Sequence, residues 1–199
     1  MTAAVSILPG FADPVGQSQQ VFRAVLDAMA HPGAIRSLAA PEAQPAPWSG
    51  TLASLALTLF DQDTPVWLDP AAASADAMAY LRFHCGCPIV ADAGQASFAV
   101  VADTESAPPL HAFSIGDPLY PERSATLLLA VPALSGGPPL TLSGPGINGS
   151  AKASPRGLPA GFVTQWVDNH ALYPSGVDVI LAAGDSVMAL PRTVSVEEA

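Results

Sequence analysis

The chain has 199 residues, long enough for one domain to bury a core that needs no disulfide or metal to stabilise it. Seven Lys and Arg stand against seventeen Asp and Glu, and the resulting net charge of -10 argues against a nucleic-acid partner. The N-terminus has no basic leader, and the longest apolar runs, such as residues 52–60, fall short of the ~20 residues of a membrane span, so we expect a cytoplasmic protein without membrane contact.

The first half of the chain is predicted to alternate helices with a strand. A first helix is predicted over residues 13–33, a second over 49–59, and a short strand over 66–68. Asp69 and Pro70 are expected to cap a third helix that continues through Leu81. The inward face of the first helix is predicted from the helical spacing of four apolar residues: Phe22, Val25, Leu26 and Met29.

The second half of the chain is predicted to be richer in strands. These strands are expected near residues 88–90, 97–101, 125–131 and 140–142, and as a closing antiparallel pair over 177–183 and 186–191. Helical segments are expected over 110–113 and 162–171, the latter with one inward face formed by Phe162, Trp166, Val167 and His170. No repeat or long linker divides the chain, so we predict one α/β domain over residues 1–199.

The composition predicts self-association. Charged residues make up 12% of the chain, where about 25% is usual, and 50% of the residues are hydrophobic. An apolar surface of this kind tends to be buried against other chains, so we expect an oligomer, and a homodimer in solution.

The stretch RFHCGCPIV (82–90) contains a histidine and two cysteines, His84, Cys85 and Cys87. Structural zinc requires four ligands, and no second ligand pair follows in the sequence, so we predict no metal site. The two sulfurs are best interpreted as small buried side chains beside a strand, while a redox or nucleophilic role remains open. A free-standing enzyme that depends on these cysteines or on a metal is therefore the alternative function.

Two further features look like cofactor sites but lack the required context. The loop GPGING (144–149) matches G-x-G-x-x-G, yet SAKASPRG follows it where a phosphate site needs a helix, so we predict a turn. Lys152 is the sole lysine and lies in the same loop, which disfavours a pyridoxal-phosphate Schiff base. With no nucleophile motif either, we predict no catalytic residue and no cofactor.

Six segments in order resemble one protein family: FRAVLDAMAHPG (22–33), DQDTPVWL (61–68), LRFHCGCPIV (81–90), SFAV (97–100), ATLLLAVPALSGGPPLTLSGPGI (125–147) and YPSGVDVILAAGDSVMALPRTVSVE (173–197). Together they resemble the PhnH family, subunits of the bacterial carbon-phosphorus lyase system for phosphonate use. The resemblance implies a three-layer α/β fold with a mixed sheet, similar to pyridoxal-phosphate-dependent transferases but without the cofactor.

The resemblance also implies a function and partners. It predicts a non-catalytic or accessory subunit that dimerises and joins other subunits of the core complex. That complex exchanges the adenine of ATP for methylphosphonate and so forms ribose 1-methylphosphonate 5-triphosphate.

Four residues in the matching segments are candidate ligand or interface contacts: Asp63, Arg82, His84 and Arg192. Arg82, Phe83 and His84 belong to the family pattern, whereas the positions of Cys85 and Cys87 hold other residues in it. A structural alternative is that Asp63 and Arg82 pair at an element end, and that Arg192 holds the C-terminal tail or a partner chain.

Overall fold

The computed structural model describes residues 7–199, and residues 1–6, where no basic leader is expected, lie outside this part. Its helices are α1 (Pro14–Ala30), α2 (Gly50–Leu59), α3 (Ala75–His84) and α4 (Phe162–Ala171). Its strands are β1 (Ile35–Ser37), β2 (Val66–Leu68), β3 (Phe98–Val101), β4 (Thr126–Ala130), β5 (Leu140–Ser143), β6 (Ala151–Ala153), β7 (Asp178–Ala183), β8 (Ser186–Leu190) and β9 (Ser195–Glu198). Within residues 7–199, no helix is both long and apolar enough to cross a membrane.

A six-stranded mixed sheet forms the centre of the fold, in the order β1-β8-β7-β4-β3-β2. β2, β3, β4 and β7 run parallel, so that Leu128 on β4 lies between Val100 and Ile180 of the neighbouring strands. β8 turns back through Gly184 and pairs antiparallel with β7, which confirms the predicted closing pair, and β1 pairs antiparallel with β8. The predicted α/β fold with a mixed sheet is confirmed.

The central strands are buried on both faces because side chains alternate along a strand. Leu128 and Ile180 point into a core shared with α1, α2 and α3. Leu129 and Leu181 point into a second core, shared with α4 and with a small antiparallel sheet of order β6-β5-β9. The sheet is thus covered by helices on one face and by a helix and a second sheet on the other.

Several short elements differ from the predictions. The sequence pattern missed β1, β6 and β9, each of which has only three or four residues. The expected strand near 88–90 is reduced to one bridge between Ile89 and Val66. The helical segment expected at 110–113 is a single 3-10 turn, Leu110–Ala112. Such short pieces take their conformation from their neighbours, so local patterns indicate them weakly.

The glycine-rich loop 144–149 connects β5 to β6, which pair antiparallel, and this confirms the predicted turn. Gly146 adopts φ 83° and lies against the end of α1. A Cβ at this position would come within 2.2 Å of the Ala30 carbonyl oxygen, so only glycine fits there. Gly146 therefore serves close packing between this loop and α1.

The predicted inward face of α1 is wrong in part. Val21, Val25 and Ala28 are buried, whereas Phe22 is 51% exposed and Leu26 is 58% exposed. Apolar residues occupy two faces of this helix, and the face with the smaller side chains packs closely against α2 and β8. The exposed face carries a stripe of apolar residues, Val15, Phe22 and Leu26, which we call the α1 stripe.

The inward face of α4 is also shifted from the prediction. Phe162, Trp166 and Asn169 are buried, and the indole N–H of Trp166 donates to the Val194 carbonyl at 2.8 Å. Val167, predicted to face inward, is 55% exposed. The positions i, i+4 and i+7 define the face that meets β9, and Val167 lies about 130° away from its centre.

The predicted cap of α3 is wrong, because Asp69 has a different role. The helix begins at Ala75, and the Ser74 hydroxyl caps it by accepting from the Ala77 N–H at 3.1 Å. Asp69 is 1% exposed and accepts three backbone N–H groups, from Ala72 at 2.6 Å, Ala102 at 2.9 Å and Asp103 at 2.8 Å. This carboxylate therefore joins the carboxyl ends of β2 and β3.

Replacing Asp69 should destabilise the fold strongly. We expect Asp69→Ala to lower the free energy of unfolding by about 3 kcal/mol, since three buried N–H groups lose their acceptor. Asp69→Asn should lose less, because one oxygen remains. The matched control is Asp168→Ala on the exposed surface of α4, which should change stability by about 0.5 kcal/mol or less. Equal urea midpoints for the Asp69 variants and the control would contradict this role.

Candidate functional site

The end of α3 presents two of the residues singled out from the sequence, Arg82 and Phe83, to solvent. Phe83 is 61% exposed, and Arg82 is exposed as well. Both lie on the helix face opposite Leu81, which is fully buried in the first core. An exposed aromatic ring beside an exposed guanidinium can contact a ligand or another protein chain.

His84 is half-buried and fixes the chain that leads into α1. Its Nε2 atom lies 2.9 Å from the Leu8 carbonyl oxygen, and its ring centroid lies 4.4 Å from that of Tyr80 and 4.9 Å from that of Phe83. A Cβ on Gly10 would come within 3.2 Å of the same imidazole ring. The histidine thus packs the segment before α1 against α3.

Tyr80 supports this arrangement from the buried side. Its hydroxyl donates to the Ala43 carbonyl at 3.3 Å, and the residue is 2% exposed. Burial, with a smaller contribution from the neighbouring Cys85, raises the pKa of Tyr80 to about 12. The phenol is therefore neutral at physiological pH.

Asp63 lies at the end of the sheet where β2 begins and α3 ends, but it forms no ion pair with Arg82. It is exposed in the turn before β2, and its backbone N–H donates to an Asp61 carboxylate oxygen at 3.0 Å. Within residues 7–199, ion pairs join Asp27 to His31 and Arg36, and Arg192 to Asp178. The structural alternative in which Asp63 pairs with Arg82 is therefore wrong.

Arg192 is far from the other three candidates. It follows β8, which is four strand spacings, or ~19 Å, from β2. Its side chain is 14% exposed and donates to both oxygens of Asp178 and to the Pro121 carbonyl, the latter at 2.9 Å. Its backbone N–H also donates to Asp178, at 2.7 Å. These contacts use the guanidinium to join β8, β7 and the loop before β4.

Cys85 and Cys87 are free thiols, and both pack near the first core. The Cys85 thiol donates to the Ala56 carbonyl at 3.6 Å, and Cys87 is 7% exposed. A hydrogen bond from Cys85 lowers the pKa of Cys87, and the same interaction raises the pKa of Cys85.

The sole lysine and a cleft beside α4 bear on the question of a cofactor or metal site. Lys152 is exposed on β6, where its ammonium donates to the Thr141 hydroxyl at 2.7 Å. A cleft of about 290 Å³ lies at the start of α4, and Glu198 is the charged residue in its lining. Among residues 7–199, no three His, Cys, Asp or Glu side chains come close enough to hold a metal.

The predictions from the sequence did not include the structural roles of two carboxylates, Asp69 and Asp178. Asp178 had a detectable signal, because the hairpin register through Gly184 pairs Val179 with Leu190 and so places Asp178 beside Arg192. The role of Asp69 had no such signal, since two of its three acceptor contacts depend on the approach of the residues that follow β3.

These observations define an α/β protein in which two candidate contacts, Asp63 and Arg82, lie on an open surface. The model of the bacterial phosphonate metabolism protein family, PhnH, matches residues 9–197. The chain is 41% identical over 198 residues to the alpha-D-ribose 1-methylphosphonate 5-triphosphate synthase subunit PhnH of Rhizobium meliloti (strain 1021), with 99% of each chain covered.

A second relative comes from Stutzerimonas stutzeri and carries the provisional name C-P lyase subunit protein HtxG. It is 38% identical over 76 residues, which cover 38% of this chain and 39% of that protein. The chain belongs to the PhnH family, and the resemblance seen in the sequence is confirmed.

Arg192 should act through stability. We expect Arg192→Ala to lower the free energy of unfolding of the isolated chain by about 3 kcal/mol, because Asp178 would remain buried without its partner. Arg192→Lys should fall between this variant and the parent, since a lysine cannot make the two parallel contacts. Arg156→Ala removes an exposed guanidinium and serves as the control in urea unfolding. Parent-like stability of Arg192→Ala would instead assign Arg192 to a ligand or partner.

Proposed function

We propose that this chain is the PhnH subunit of an assembly that forms alpha-D-ribose 1-methylphosphonate 5-triphosphate from ATP and methylphosphonate. The observation that carries the proposal is the end-to-end match to the Rhizobium meliloti subunit of that name, at 41% identity over 198 residues. A match that covers 99% of both chains supports a shared role for the whole fold, rather than for one segment.

We further propose that the subunit is accessory and that other subunits carry the chemistry. In support, the sole lysine is engaged with Thr141 at the surface, and Arg192 is engaged with Asp178. His84 and His170 each contact a backbone carbonyl, of Leu8 and Arg192, within the fold. These side chains serve packing, and their arrangement offers no nucleophile with an adjacent base.

The surface through which the subunit acts is proposed to be the end of α3 with the turn before β2. Its exposed charged groups are Arg82 and Asp63, and its exposed aromatic ring is Phe83. His84 packs beneath this surface and fixes its position through the contact with the Leu8 carbonyl. Arg192 is assigned a structural role within the chain. Either a phosphorylated ligand or a neighbouring subunit would match the exposed guanidinium.

Growth on methylphosphonate as the sole phosphorus source tests the function. Deletion of the gene should abolish growth, and the parent chain should restore it and co-purify with other subunits through an affinity tag. Arg82→Ala should impair growth, while Arg156→Ala and the double variant Cys85→Ser/Cys87→Ser should support it. The purified chain alone should transform neither ATP nor methylphosphonate.

The outcomes separate the possible roles of the α3 surface. Impaired growth of Arg82→Ala with an intact complex assigns Arg82 to a ligand, and impaired growth with loss of co-purification assigns it to an interface. Parent-like growth would remove Arg82 from the site. Growth of the deletion strain, or activity of the isolated chain, would overturn the proposed function.

We also propose that the chain forms a homodimer through the α1 stripe. In a two-fold dimer the same patch meets itself, and antiparallel copies of α1 would place Val15 opposite Leu26 of the second copy. The exposed face of the stripe includes Gln19 and Arg23 but no carboxylate. On a chain of net charge -10, a face without negative charge favours contact between identical copies.

Polar substitution of the stripe should weaken the dimer. We expect Phe22→Ser/Leu26→Ser to raise the dimer dissociation constant by about 100-fold, since two apolar side chains per copy lose their burial. Val167→Ser changes an equally exposed apolar residue on α4 and is the control. Analytical ultracentrifugation measures both variants. A parent chain that is monomeric at micromolar concentration, or a dimer unaffected by the double variant, would contradict the proposal.

Four finer predictions belong to the same proposal. We infer that the fold is similar to that of pyridoxal-phosphate-dependent transferases without use of the cofactor, and the surface position of Lys152 supports this. We infer one PhnH-like domain over residues 1–199, supported by the two cores that share one sheet. Cytoplasmic localisation and the absence of nucleic-acid partners remain predictions.

A further inference from the structure

The two cysteines flank a glycine at the end of α3. The N–H groups of Cys85 and Gly86 both donate to the Leu81 carbonyl at 2.9 Å, which closes the helix, and Gly86 then adopts φ 65°. Two Cα atoms separated by one residue are at most ~7 Å apart, and a turn at the middle residue shortens this distance. The separation therefore falls in the range that a disulfide requires.

Both thiols pack against the first core, and the neighbouring Cys85 lowers the pKa of Cys87. Cys87 is thus the thiol that attacks first, and Cys85 is placed to act as the resolving thiol. The Cys85 thiol donates to the Ala56 carbonyl at 3.6 Å, which fixes its side chain at the turn.

The turn is open to small reagents. Gly86 is exposed, and a Cβ built on it would meet no atom within 4 Å. Cys85 is half-buried, and Cys87 retains 7% exposure. The open side of the glycine therefore gives a low-molecular-weight disulfide a route to the turn.

We propose that Cys85 and Cys87 form a reversible intrachain disulfide, a redox site that low-molecular-weight disulfides oxidise and free thiols reduce. The Cys87 thiolate attacks the reagent, forms a mixed disulfide and releases one thiolate. Cys85 then loses its proton to the solvent, its sulfur attacks the Cys87 sulfur, and the second thiolate leaves. Two protein thiols are oxidised and one disulfide is reduced to two thiols, so atoms and electrons balance.

The position of the bond connects it to the surface at the end of α3. The turn joins Arg82 and His84 to the segment whose Pro88 carbonyl accepts from the Val66 N–H at 2.8 Å. A disulfide across Gly86 constrains this connection. The ring that it closes is small and strained, which makes the bond readily reducible, as in regulatory rather than structural disulfides.

The test uses the full-length reduced protein in mixtures of oxidised and reduced glutathione, quenched with acid and analysed by intact mass. We expect a product lighter by two hydrogen atoms that exceeds the glutathione adduct by about tenfold, because the resolving thiol is held nearby. Dithiothreitol should restore the parent mass. Peptide mapping should place the bond between Cys85 and Cys87.

Single variants separate the steps of the reaction. Cys85→Ser should accumulate a glutathione adduct on Cys87, and Cys87→Ser should react more slowly than the parent. Circular dichroism checks that both variants are folded. The proposal is overturned if the folded parent keeps its mass while the urea-unfolded chain is oxidised, if the adduct persists in the parent, or if disulfide-linked dimers predominate. None of these readouts depends on the proposed function.

Discussion

Burial of the four parallel strands on both faces is the constraint on which the rest of the structure depends. A sheet with Leu128 and Ile180 on one side and Leu129 and Leu181 on the other must be covered twice. Three helices cover the first face, and α4 with the small antiparallel sheet covers the second. This demand accounts for much of the 50% hydrophobic content, and the exposed α1 stripe adds a further, uncovered part.

The ends of the strands are held by charged groups inside the fold. Asp69 accepts N–H groups where β2 and β3 end, and Arg192 joins Asp178 where β7 begins and β8 ends. Buried charges of this kind persist only when their hydrogen-bonding capacity is satisfied by fixed partners. They therefore hold neighbouring strand ends together, and Asp69, Asp178 and Arg192 are engaged within the fold.

The chemistry that remains is concentrated at the end of α3. An exposed guanidinium, an exposed ring and a pair of interacting thiols lie within six residues, between Arg82 and Cys87. His84 and Tyr80 pack beneath the same helix end and hold it in place. A rigid support beneath an exposed patch suits a subunit that presents a surface to other molecules. The disulfide that we propose between Cys85 and Cys87 would add a second, oxidised form of this surface.

The sequence by itself determined the alternation of helices and strands, the closing hairpin and the PhnH resemblance, because these depend on local periodicity and on ordered motifs. The tertiary structure alone decided which face of α1 is buried, since its helix is apolar on two sides and packing against α2 and β8 selects Val25 over Phe22. It likewise decided the role of Asp69, because two of its three partners follow β3 in the chain. The separation of Arg192 from Arg82 follows from the order of the strands in the sheet. Contacts between distant segments leave no periodic trace in the chain, and for that reason only the folded arrangement reveals them.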